Sequence, residues 1–450
     1  MPNNPTRRTA TPHDIVGELL AHTRWSAEQL AAYQRNRLDA LLRHAVVVSP
    51  YYRRTLGADV AGASLEELPT LSKATLMAHF DEIVADPRLR RATVQAHLAG
   101  PAATEPLHGF LVLSTSGSTG EPGIFVMSRE ELAPWVAALM RAMRLFGVTP
   151  GMRMAGLGSP SGMHISRHLV AGLLAGQSAS GPRTSAATPM PEVVAAFNAY
   201  QPEVIPGYTS VLALLAEEQL AGRLRIAPRV IAYAGEVLTP DMRERIHDAW
   251  GIEPVSLYST TEAAILASGP ADGMHLWEDL AIVEIVDADN QPVPGGATGH
   301  RVLVTNLVNC TQPLIRYEIS DLVTLAHGPD PGGTPFRRIT EVSGRNDDIV
   351  QMPAQAGGTI TVLPKQLRAP VATVPGLRQY QVMVAPDHLR IAVVLRAGAP
   401  VDTPQRIQAA VHCALLDIGV AVPPITVVPV DGIEREPAPS AKFKTVKVAR

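Results

Sequence analysis

The sequence predicts an α/β fold with added β structure, in which a hinge joins a large N-terminal domain to a small C-terminal α+β domain. The chain has 450 residues, which exceeds the length at which a single hydrophobic core keeps growing. Between about residues 109 and 260, short apolar runs alternate with helical patterns, as in parallel α/β layers. Strand-like runs dominate residues 281–327. We therefore expect one domain over residues 1–343 and a second over residues 344–450.

Helices are predicted near the N-terminus. Apolar positions recur at helical spacing over residues 14–45, with Asp14 and Ser26 as the expected N-caps. Ser72 is expected to cap a further helix, because a Ser side chain can accept a hydrogen bond from a backbone N–H of the first helical turn.

The central part of the chain is expected to supply the α/β layers. Helices are predicted over residues 191–201, 208–222 and 239–251. The last of these has Thr239 as its cap, Pro240 in its first turn and Gly251 as its stop. Buried strands are predicted over residues 202–207, 229–235 and 255–260.

The remaining elements differ in character. Residues 281–307 contain two strand-like runs around a Pro- and Gly-rich turn, which indicates antiparallel β structure added to the α/β body. Further on, three strand-like runs surround one helical pattern at residues 403–419, which predicts a compact α+β unit. The boundary is placed near residues 343–348.

Composition excludes several classes of protein. The formal net charge of −3 leaves no basic stripe of the kind that nucleic-acid binding requires. Two cysteines cannot build a disulfide framework, so a reduced, cytoplasmic setting is expected. The first twenty residues lack the apolar core of a secretion signal. No run reaches the ~18 apolar residues of a membrane helix, and no membrane association is expected.

A loop rich in glycine and hydroxyl side chains follows the apolar run at residues 110–113. Glycines allow backbone N–H groups to approach an anion closely, so the loop suits a pyrophosphate or triphosphate. Such a loop alone is equally typical of a linker. It lacks the lysine of the GxxxxGK[ST] pattern, which argues against a phosphate-binding switch protein. Its residues are Ser114, Thr115, Ser116, Gly117, Ser118, Thr119 and Gly120.

Two acidic motifs follow strand-like runs. Tyr258 and Glu262 could stack on a base and hold Mg²⁺, which takes few protein carboxylates. The alternative is a core tyrosine and an acid at a helix start. Asp321 could accept hydrogen bonds from both hydroxyls of a ribose, although many loop aspartates only satisfy their own backbone.

Two further motifs lie in the C-terminal quarter. Residues 344–348, Gly-Arg-Asn-Asp-Asp, coincide with the expected domain boundary, where an ordinary polar turn is the alternative. Lys442 follows Pro-Ser-Ala near the C-terminus, where a solvated basic tail is the alternative.

In this order, the five motifs resemble those of the adenylate-forming superfamily of acyl-CoA synthetases, peptide-synthetase adenylation domains and luciferases. The chain looks most similar to the phenylacetate-CoA ligase family within it. The segments that carry this closer resemblance are residues 21–30, 41–56, 67–76, 233–251 and 374–382.

The resemblance implies a role for each motif. The loop from Ser114 to Gly120 would bind the β- and γ-phosphates of ATP, Tyr258 would pack on the adenine, Glu262 would coordinate Mg²⁺, and Asp321 would hold the ribose. The other expected nucleotide-binding residues are Gly235, Glu236, Ser259, Thr260, Thr261 and Arg345.

The resemblance also assigns catalysis and domain motion. Lys442, with Glu262 as its catalytic partner, would neutralise charge on the α-phosphate and on the attacking carboxylate. Lys444 is the rival for this role. Asp347 would be the hinge. The acid would bind near His164, Arg167, His168 and Tyr208, although a surface position on an amphipathic helix is the alternative for the first three.

The implied activity is that of an AMP-forming acid–thiol ligase. It would activate a small, aromatic carboxylic acid as an acyl-AMP, release pyrophosphate and transfer the acyl group to coenzyme A. ATP, Mg²⁺ and coenzyme A are the expected ligands. No zinc is expected, because the cysteine cluster of some relatives is missing. The expected assembly is a monomer or homodimer.

Three departures from the family pattern keep alternatives open. The phosphate loop continues Gly-Glu-Pro-Gly, Ala441 stands where the family has glycine, and Gly357 and Gly358 are displaced from the usual place of a loop that lines the thiol tunnel. The last departure bears on the thioester step, so a carrier protein, an amine or another nucleophile is an alternative acceptor. A degenerate, non-catalytic binding protein is disfavoured, because Glu262, Asp321 and Lys442 are all present.

Overall fold

The computed structural model describes residues 10–60, 62–115, 122–175, 181–182, 184–436 and 441–449. Over these ranges the chain forms a mixed α/β structure with several sheets, which confirms the predicted fold class. Among the helices of the described residues, none combines the length and the apolar character that a membrane crossing requires.

The described residues form thirteen α-helices and eighteen strands. The helices are α1 (Pro12–His22), α2 (Ala27–Val48), α3 (Pro50–Leu56), α4 (Lys73–Ala78), α5 (Phe80–Ile83), α6 (Arg91–Ala99), α7 (Arg129–Leu145), α8 (Ile165–Leu173), α9 (Met190–Tyr200), α10 (Thr209–Leu220), α11 (Pro240–Trp250), α12 (Pro364–Ala372) and α13 (Thr403–Asp417). The strands are β1 (Leu111–Ser114), β2 (Ile124–Met127), β3 (Val204–Gly207), β4 (Val230–Ala234), β5 (Val255–Thr260), β6 (Ala264–Pro270), β7 (Met274–Leu276), β8 (Ala281–Val286), β9 (Arg301–Asn306), β10 (Tyr317–Ile319), β11 (Asp321–Leu325), β12 (Arg338–Arg345), β13 (Val350–Pro353), β14 (Thr359–Val362), β15 (Leu377–Val384), β16 (Leu389–Leu395), β17 (Ile425–Pro429) and β18 (Val446–Val448).

A seven-stranded mixed sheet forms the centre of the N-terminal part, in the order β11-β12-β7-β6-β5-β4-β3. Strands β3, β4 and β5 run parallel, with α10 and α11 as the connections between them. This is the alternation that the sequence predicts. The other strands pair antiparallel, so the sheet joins a parallel α/β half to an antiparallel extension.

Two smaller antiparallel sheets flank this sheet in the N-terminal part. The predicted runs within residues 281–307 become β8 and β9, which pair with β10 in a three-stranded antiparallel sheet. Among the described strands, β1, which precedes the Ser/Gly loop in the sequence, pairs with β2 alone.

The caps of the first helices differ in one case from those expected. Asp14 is not the N-cap of α1. The helix begins at Pro12, the hydroxyl of Thr11 accepts a hydrogen bond from the Asp14 N–H, and the Asp14 carboxylate accepts from the Thr11 N–H at 2.8 Å. This reciprocal capping box moves the helix start back by one turn. Ser26 and Ser72 cap α2 and α4 as predicted.

The C-terminal part has a hydrophobic core drawn entirely from residues 350–446. A four-stranded sheet in the order β17-β16-β15-β18 packs with α12 and α13. Strand β12 still belongs to the large sheet and ends at Arg345, two residues into the range expected for the second domain. The change from one core to the other therefore follows directly after β12.

A buried ionic cluster ties α1 to the centre of the N-terminal part. The His22 Nδ1 lies 2.9 Å from an oxygen of Asp279, and Arg141 of α7 donates to both oxygens of that carboxylate at 2.6 and 3.0 Å. The Arg141 guanidinium also lies 3.8 Å from the centre of the Trp277 ring. Burial tends to raise the pKa of Asp279, but Arg141 and His22 outweigh it and hold that pKa below its usual value.

Candidate active site

A polar cavity of about 410 Å³ lies where the end of β5 and the start of β11 meet residues of the C-terminal part. Strand β1 contributes Ser114 to its wall, and the following Thr115 lies beside it. The expected site residues on this wall are Ser114, Thr115, His164, Ser259, Thr260, Thr261, Glu262, Asp321, Arg345, Asp347 and Lys442. Motifs far apart in the sequence are therefore gathered around one space.

Asp321 contacts the tyrosine and the arginine of two other motifs. The Tyr258 hydroxyl donates to one oxygen of Asp321 at 2.8 Å. Asp321 and Arg345 are paired across β11 and β12, and the Arg345 Nε lies 3.3 Å from the other oxygen. Burial raises the pKa of Tyr258 well above its ordinary value, so it stays a hydrogen-bond donor. Asp321 raises the pKa of Arg345.

Glu262 follows β5 in a turn whose backbone is fixed by its neighbours. The Asn306 side chain donates to the Glu262 carbonyl at 3.0 Å, and the Ala263 N–H donates to the Thr260 hydroxyl at 3.1 Å. Burial raises the pKa of the Glu262 carboxyl. The turn thus presents a half-buried carboxylate beside hydroxyl groups, which is an oxygen-rich donor set of the kind that Mg²⁺ prefers.

Only the start of the expected phosphate loop can be described. Ser114 ends β1, and the Thr115 hydroxyl accepts a hydrogen bond from the Gly123 N–H at 2.8 Å. The remaining residues of that expectation lie outside the described ranges: Ser116, Gly117, Ser118, Thr119 and Gly120.

The side chain of Lys442 is half-buried on the wall of the polar cavity. Burial lowers the pKa of its ammonium group, and the nearby Arg345 lowers it further, whereas Asp321, Glu236 and Glu262 oppose the change. Lys442 also lines a second cavity, whereas Lys444 lines only that second cavity. Of the two rival lysines, Lys442 is the one beside the carboxylates.

Gly235 makes room for this lysine. It has φ +75°, and a Cβ atom there would lie 3.1 Å from the Tyr208 ring and 3.3 Å from the Lys442 Cε. Both the backbone conformation and the space favour glycine. Tyr208 precedes α10, and burial raises its pKa to about 12.

Glu236, expected in the nucleotide site, has protein partners on both of its oxygens. One oxygen accepts from the Ser210 N–H at 3.0 Å and from the Thr209 and Ser210 hydroxyls at 3.2 and 2.5 Å. The other accepts from the Phe443 N–H at 2.7 Å. Glu236 still lines the second cavity, but its carboxylate joins the start of α10 to the segment that carries Lys442.

The second cavity, of about 620 Å³, is mainly apolar. It lies between the β4–α11 connection and residues of the C-terminal part, and it reaches the polar cavity at Ser259, Asp321, Arg345 and Lys442. Tyr258, Gly235 and Glu236 line it as well. Its walls suit a flat, largely apolar group placed next to the polar site.

His164 is the one expected acid-pocket residue on the wall of the polar cavity, within the described chain. It is the N-cap of α8, where its Nδ1 accepts from the Ser166 N–H at 3.3 Å. This bond leaves the ring hydrogen on Nε2. Burial, assisted by Lys442, lowers the pKa of His164 to about 4. Arg167 and His168 lie on α8 but line neither cavity.

The expected hinge residue is tied to the large sheet. Asp347 lies in a 3-10 turn at Asn346–Asp348, where its carboxylate accepts from the Ser320 hydroxyl at 3.0 Å. The Asn346 N–H donates to the Ser320 carbonyl at 2.6 Å. Ser320 therefore holds both residues immediately after β12.

Several lining residues were not anticipated from the sequence: Lys73, Ser161, Arg301, Tyr317, Glu318, Ile319, Ser320 and Asn346. Lys73 comes directly after the predicted cap Ser72, and it reaches the site because Leu71 bridges to Tyr317. Arg301 begins β9 and lies 3.4 Å from Glu318 of the neighbouring strand. The alternation of side chains along a predicted strand could have identified Arg301 as a lining residue, whereas no local sequence pattern identifies Lys73.

Comparison with known proteins adds several findings. The sequence profile of "AMP-binding enzyme" matches residues 30–305. The chain is 28% identical over 387 residues to a phenylacetate-coenzyme A ligase of Thermus thermophilus, covering 79% of this chain and 78% of that protein. It is 26% identical over 365 residues to the phenylacetate-coenzyme A ligase of Escherichia coli, covering 76% of each. Protein CapK of Staphylococcus aureus is 23% identical, covering 71% of this chain and 68% of that protein.

Solved structures share the fold. A 2-hydroxyisobutyryl-CoA ligase in the postadenylation state, in complex with 2-HIB-AMP, gives a TM-score of 0.74 at 22% identity, covering 95% of this chain and 91% of that one. The same ligase in the thioesterification state, with 2-HIB-AMP and CoA, gives 0.59 at 21% identity and equal coverage. The resemblance inferred from the five motifs is confirmed, since the family profile spans more than half of the sequence. The chain belongs to the AMP-binding enzyme family.

Proposed function

We propose that this chain is an AMP-forming ligase that activates a small carboxylic acid with ATP and transfers the acyl group to coenzyme A. The observation that carries the proposal is the position of the half-buried Lys442 on the wall of a polar cavity that Asp321, Arg345 and Glu262 also line. The relatives named phenylacetate-coenzyme A ligase support the same reaction class and favour an aromatic acid.

The first half-reaction joins two anions. A carboxylate oxygen of the acid forms a bond to the α-phosphorus of ATP, and the bond from that phosphorus to the bridging oxygen breaks, which releases pyrophosphate. The ammonium group of Lys442 offsets the charge of the α-phosphate and of the attacking carboxylate. The incoming anions favour the protonated form of this lysine, against the effect of its burial.

The nucleotide would lie across both cavities. Asp321 would accept hydrogen bonds from the ribose, with Arg345 and Tyr258 fixing the position of its carboxylate. The adenine would occupy the apolar cavity beside Tyr258 and Gly235. The phosphates would extend toward Ser114 and Thr115 in the polar cavity. Positioning of both reactants in this way supplies much of the rate enhancement.

The donor set fits Mg²⁺. Glu262 is a half-buried carboxylate whose ionised form a cation would stabilise, and the hydroxyls of Thr260 and Thr261 line the same wall. These residues, with phosphate oxygens of the nucleotide, would hold the ion. When bound, Mg²⁺ would neutralise charge on the phosphates and on the leaving pyrophosphate.

In the second half-reaction the thiol sulfur of coenzyme A bonds to the acyl carbon, the thiol proton is lost and AMP leaves. We place a rotation of residues 344–450 against residues 1–343 between the two steps, with Asp347 as its pivot. The higher TM-score to the postadenylation state than to the thioesterification state supports assigning the present arrangement to the first step.

A carrier protein is the second candidate acceptor. The stretch after Asp348 forms the β13–β14 hairpin, whose exposed tip contains Gly357 and Gly358, both at positive φ. The Gln355 N–H donates to the Gly419 carbonyl at 2.9 Å, so this hairpin packs on the end of α13. The two glycines at this tip are displaced from the place where the family pattern leads one to expect a glycine-containing loop beside the thiol, which is why the acceptor needs a direct test.

The test is acid-dependent release of pyrophosphate from ATP, over a panel of aryl and short-chain acids, with and without coenzyme A. A thioester product from an aromatic acid would support the full proposal. Pyrophosphate release that does not depend on coenzyme A would favour a carrier protein or an amine as the acceptor. No release with any acid, from protein that still binds ATP, would contradict the proposal. Addition of EDTA is expected to abolish release, and excess Mg²⁺ to restore it.

A further inference from the structure

Glu236 is a buried carboxylate whose hydrogen bonds are divided between two parts of the chain. Its side chain is only 5% exposed. The Oε2 atom accepts from the Ser210 N–H and hydroxyl and from the Thr209 hydroxyl, all at the start of α10. Backbone and hydroxyl donors at a helix start stabilise an ionised carboxylate. This oxygen therefore anchors the side chain to the N-terminal part.

The Oε1 atom faces the segment that carries Lys442. It accepts from the Phe443 N–H at 2.7 Å, and the Arg435 Nη1 lies 3.5 Å away. The same Arg435 nitrogen donates to the Ala441 carbonyl at 3.3 Å. Arg435 and Glu236 thus hold the backbone on the two sides of Lys442. Of these two residues, Glu236 is the one that belongs to the N-terminal part.

We propose that Glu236 is a positioning residue that docks the Lys442 segment for the adenylation step and must release it before the thioester step. This rests on the proposed function above. Residues 435–443 follow the hinge, so the rotation that ends adenylation separates the Phe443 N–H from the Glu236 oxygen. The contact then contributes to the first half-reaction alone.

Ala441 strengthens this docking. Its methyl group packs in the hydrophobic cluster around Tyr208 and Leu212, although the rest of that cluster comes from residues 155–271. Ala441 has φ +49°, a left-handed conformation that costs a non-glycine residue free energy unless other contacts offset it. The hydrogen bond to Glu236, two residues further on, is such a contact.

The chain offers a matched control in Glu217. One of its oxygens accepts from Arg245 of α11 at 2.6 Å, and the other accepts from Arg378 of β15 at 2.6 Å. Like Glu236, it joins the N-terminal part to the C-terminal part with one oxygen on each side. Unlike Glu236, it lines neither cavity and does not touch the Lys442 segment.

A comparison of Glu236→Gln with Glu217→Gln should distinguish positioning of Lys442 from general contact between the N-terminal and C-terminal parts. Glutamine has one acceptor oxygen, so it cannot serve both sets of donors. The two half-reactions are measured apart, adenylation as acid-dependent pyrophosphate release and thioester formation from synthetic acyl-AMP and coenzyme A. Glu236→Gln is expected to lower the kcat of adenylation about 10- to 100-fold, with KM for ATP within about threefold and thioester formation within about twofold. Glu217→Gln should stay within about threefold in both assays.

Equal effects of the two variants on adenylation, or equal losses of both half-reactions in Glu236→Gln, would overturn the inference. Thermal melts show whether the variants fold, and Glu236→Asp, which keeps both oxygens, should recover part of the adenylation rate. Failure of the proposed function looks different, because wild-type protein would then release no pyrophosphate and Lys442→Ala would change nothing.

Discussion

The residues that meet in the active site are supported in two different ways. Tyr258, Asp321 and Arg345, which we call the strand half, sit in strands of one sheet. Strand register sets the contact of Asp321 with Arg345, and the Tyr258 hydroxyl joins it from β5. Residues 441–443, which we call the loop half, are held by the side chains of Glu236 and Arg435 and by one packed methyl group. The strand half forms whenever the sheet forms, whereas the loop half depends on contacts that can be broken singly.

The two kinds of support suit different steps of the proposed reaction. A preformed strand half suits nucleotide binding, which both half-reactions need. A separable loop half suits one chemical step, because its lysine can be withdrawn without disturbing the sheet. Variants in the loop half should therefore act on adenylation alone, and variants in the strand half on every step that uses the nucleotide.

The largest effect is expected for Lys442→Ala. Removal of this cation should lower the rate of adenylation by about 100- to 1000-fold, as for the loss of one well-placed electrostatic stabiliser. ATP affinity, measured by calorimetry, and thioester formation from synthetic acyl-AMP should be nearly unchanged. Lys444→Ala is the control and should behave as wild type. A similar loss in both lysine variants would show that the effect does not come from the Lys442 side chain alone.

Asp321→Asn probes the strand half. The change removes the charge that Arg345 faces and one of the acceptors for the ribose, so ATP affinity should fall about 10- to 100-fold. AMP affinity should fall by a similar factor, because the contact is to the shared part of the nucleotide. Tyr258→Phe, which removes only a hydroxyl donor, should cost about 1 kcal/mol in the same measurement. Unchanged AMP affinity in Asp321→Asn would remove Asp321 from the nucleotide site.

Substitutions at Ala441 test whether adenylation uses the left-handed backbone conformation of the loop half. Ala441→Gly relieves the left-handed strain, which should outweigh the loss of one packed methyl group. It should leave the adenylation rate equal to wild type or raise it by up to about fivefold, equivalent to ~1 kcal/mol. Ala441→Val puts a β-branched residue in the same conformation and should lower that rate. Stopped-flow release of pyrophosphate gives the ranking Gly ≥ Ala > Val. Equal rates for all three residues would mean that this backbone conformation is not used during adenylation.

The smallest effect concerns His164, whose pKa reports whether the loop half is docked. Its pKa lies near 4 because of burial first and the Lys442 charge second. NMR titration should therefore find a neutral imidazole above about pH 5, and the pKa should rise in Lys442→Met. Because the folded-state pKa lies below the unfolded value, this histidine lowers stability as the pH falls from 6.5 toward 4, by about 3 kcal/mol at most. His164→Asn should remove that acid sensitivity.

Much of the fold could be predicted, because its signals are local. The parallel strands, the helix from Pro240 to Gly251 and the antiparallel strands β8 and β9 follow from apolar periodicity and from cap residues. The cap at Thr11 was missed because two candidate caps lie three residues apart, and only the reciprocal bond in the folded helix decides between them. Local sequence patterns likewise do not indicate that β1 pairs antiparallel with β2.

The site was predictable as a set of motifs but not as a set of contacts. The order of the motifs identified Asp321, Arg345 and Lys442 as site residues. Their proximity in space depends on the register of β11 with β12 and on the fold of the C-terminal part. Glu236 shows the limit most clearly. Its sequence neighbourhood indicates a residue beside the nucleotide, whereas its hydrogen bonds to Ser210 and Phe443 arise from segments 26 and 207 positions away.

The buried ionic cluster of α1 bears on where this chain can be shortened for expression. The family profile begins at residue 30, which invites a clone that starts there. Such a clone would lack His22, and it would also lack the Leu19 carbonyl that accepts from Arg141 at 3.0 Å. Asp279 and Arg141 would keep their charges in the interior with fewer partners, at a cost of several kcal/mol. The boundary of the recognisable family is therefore not the boundary of the folding unit, and α1 belongs in every clone.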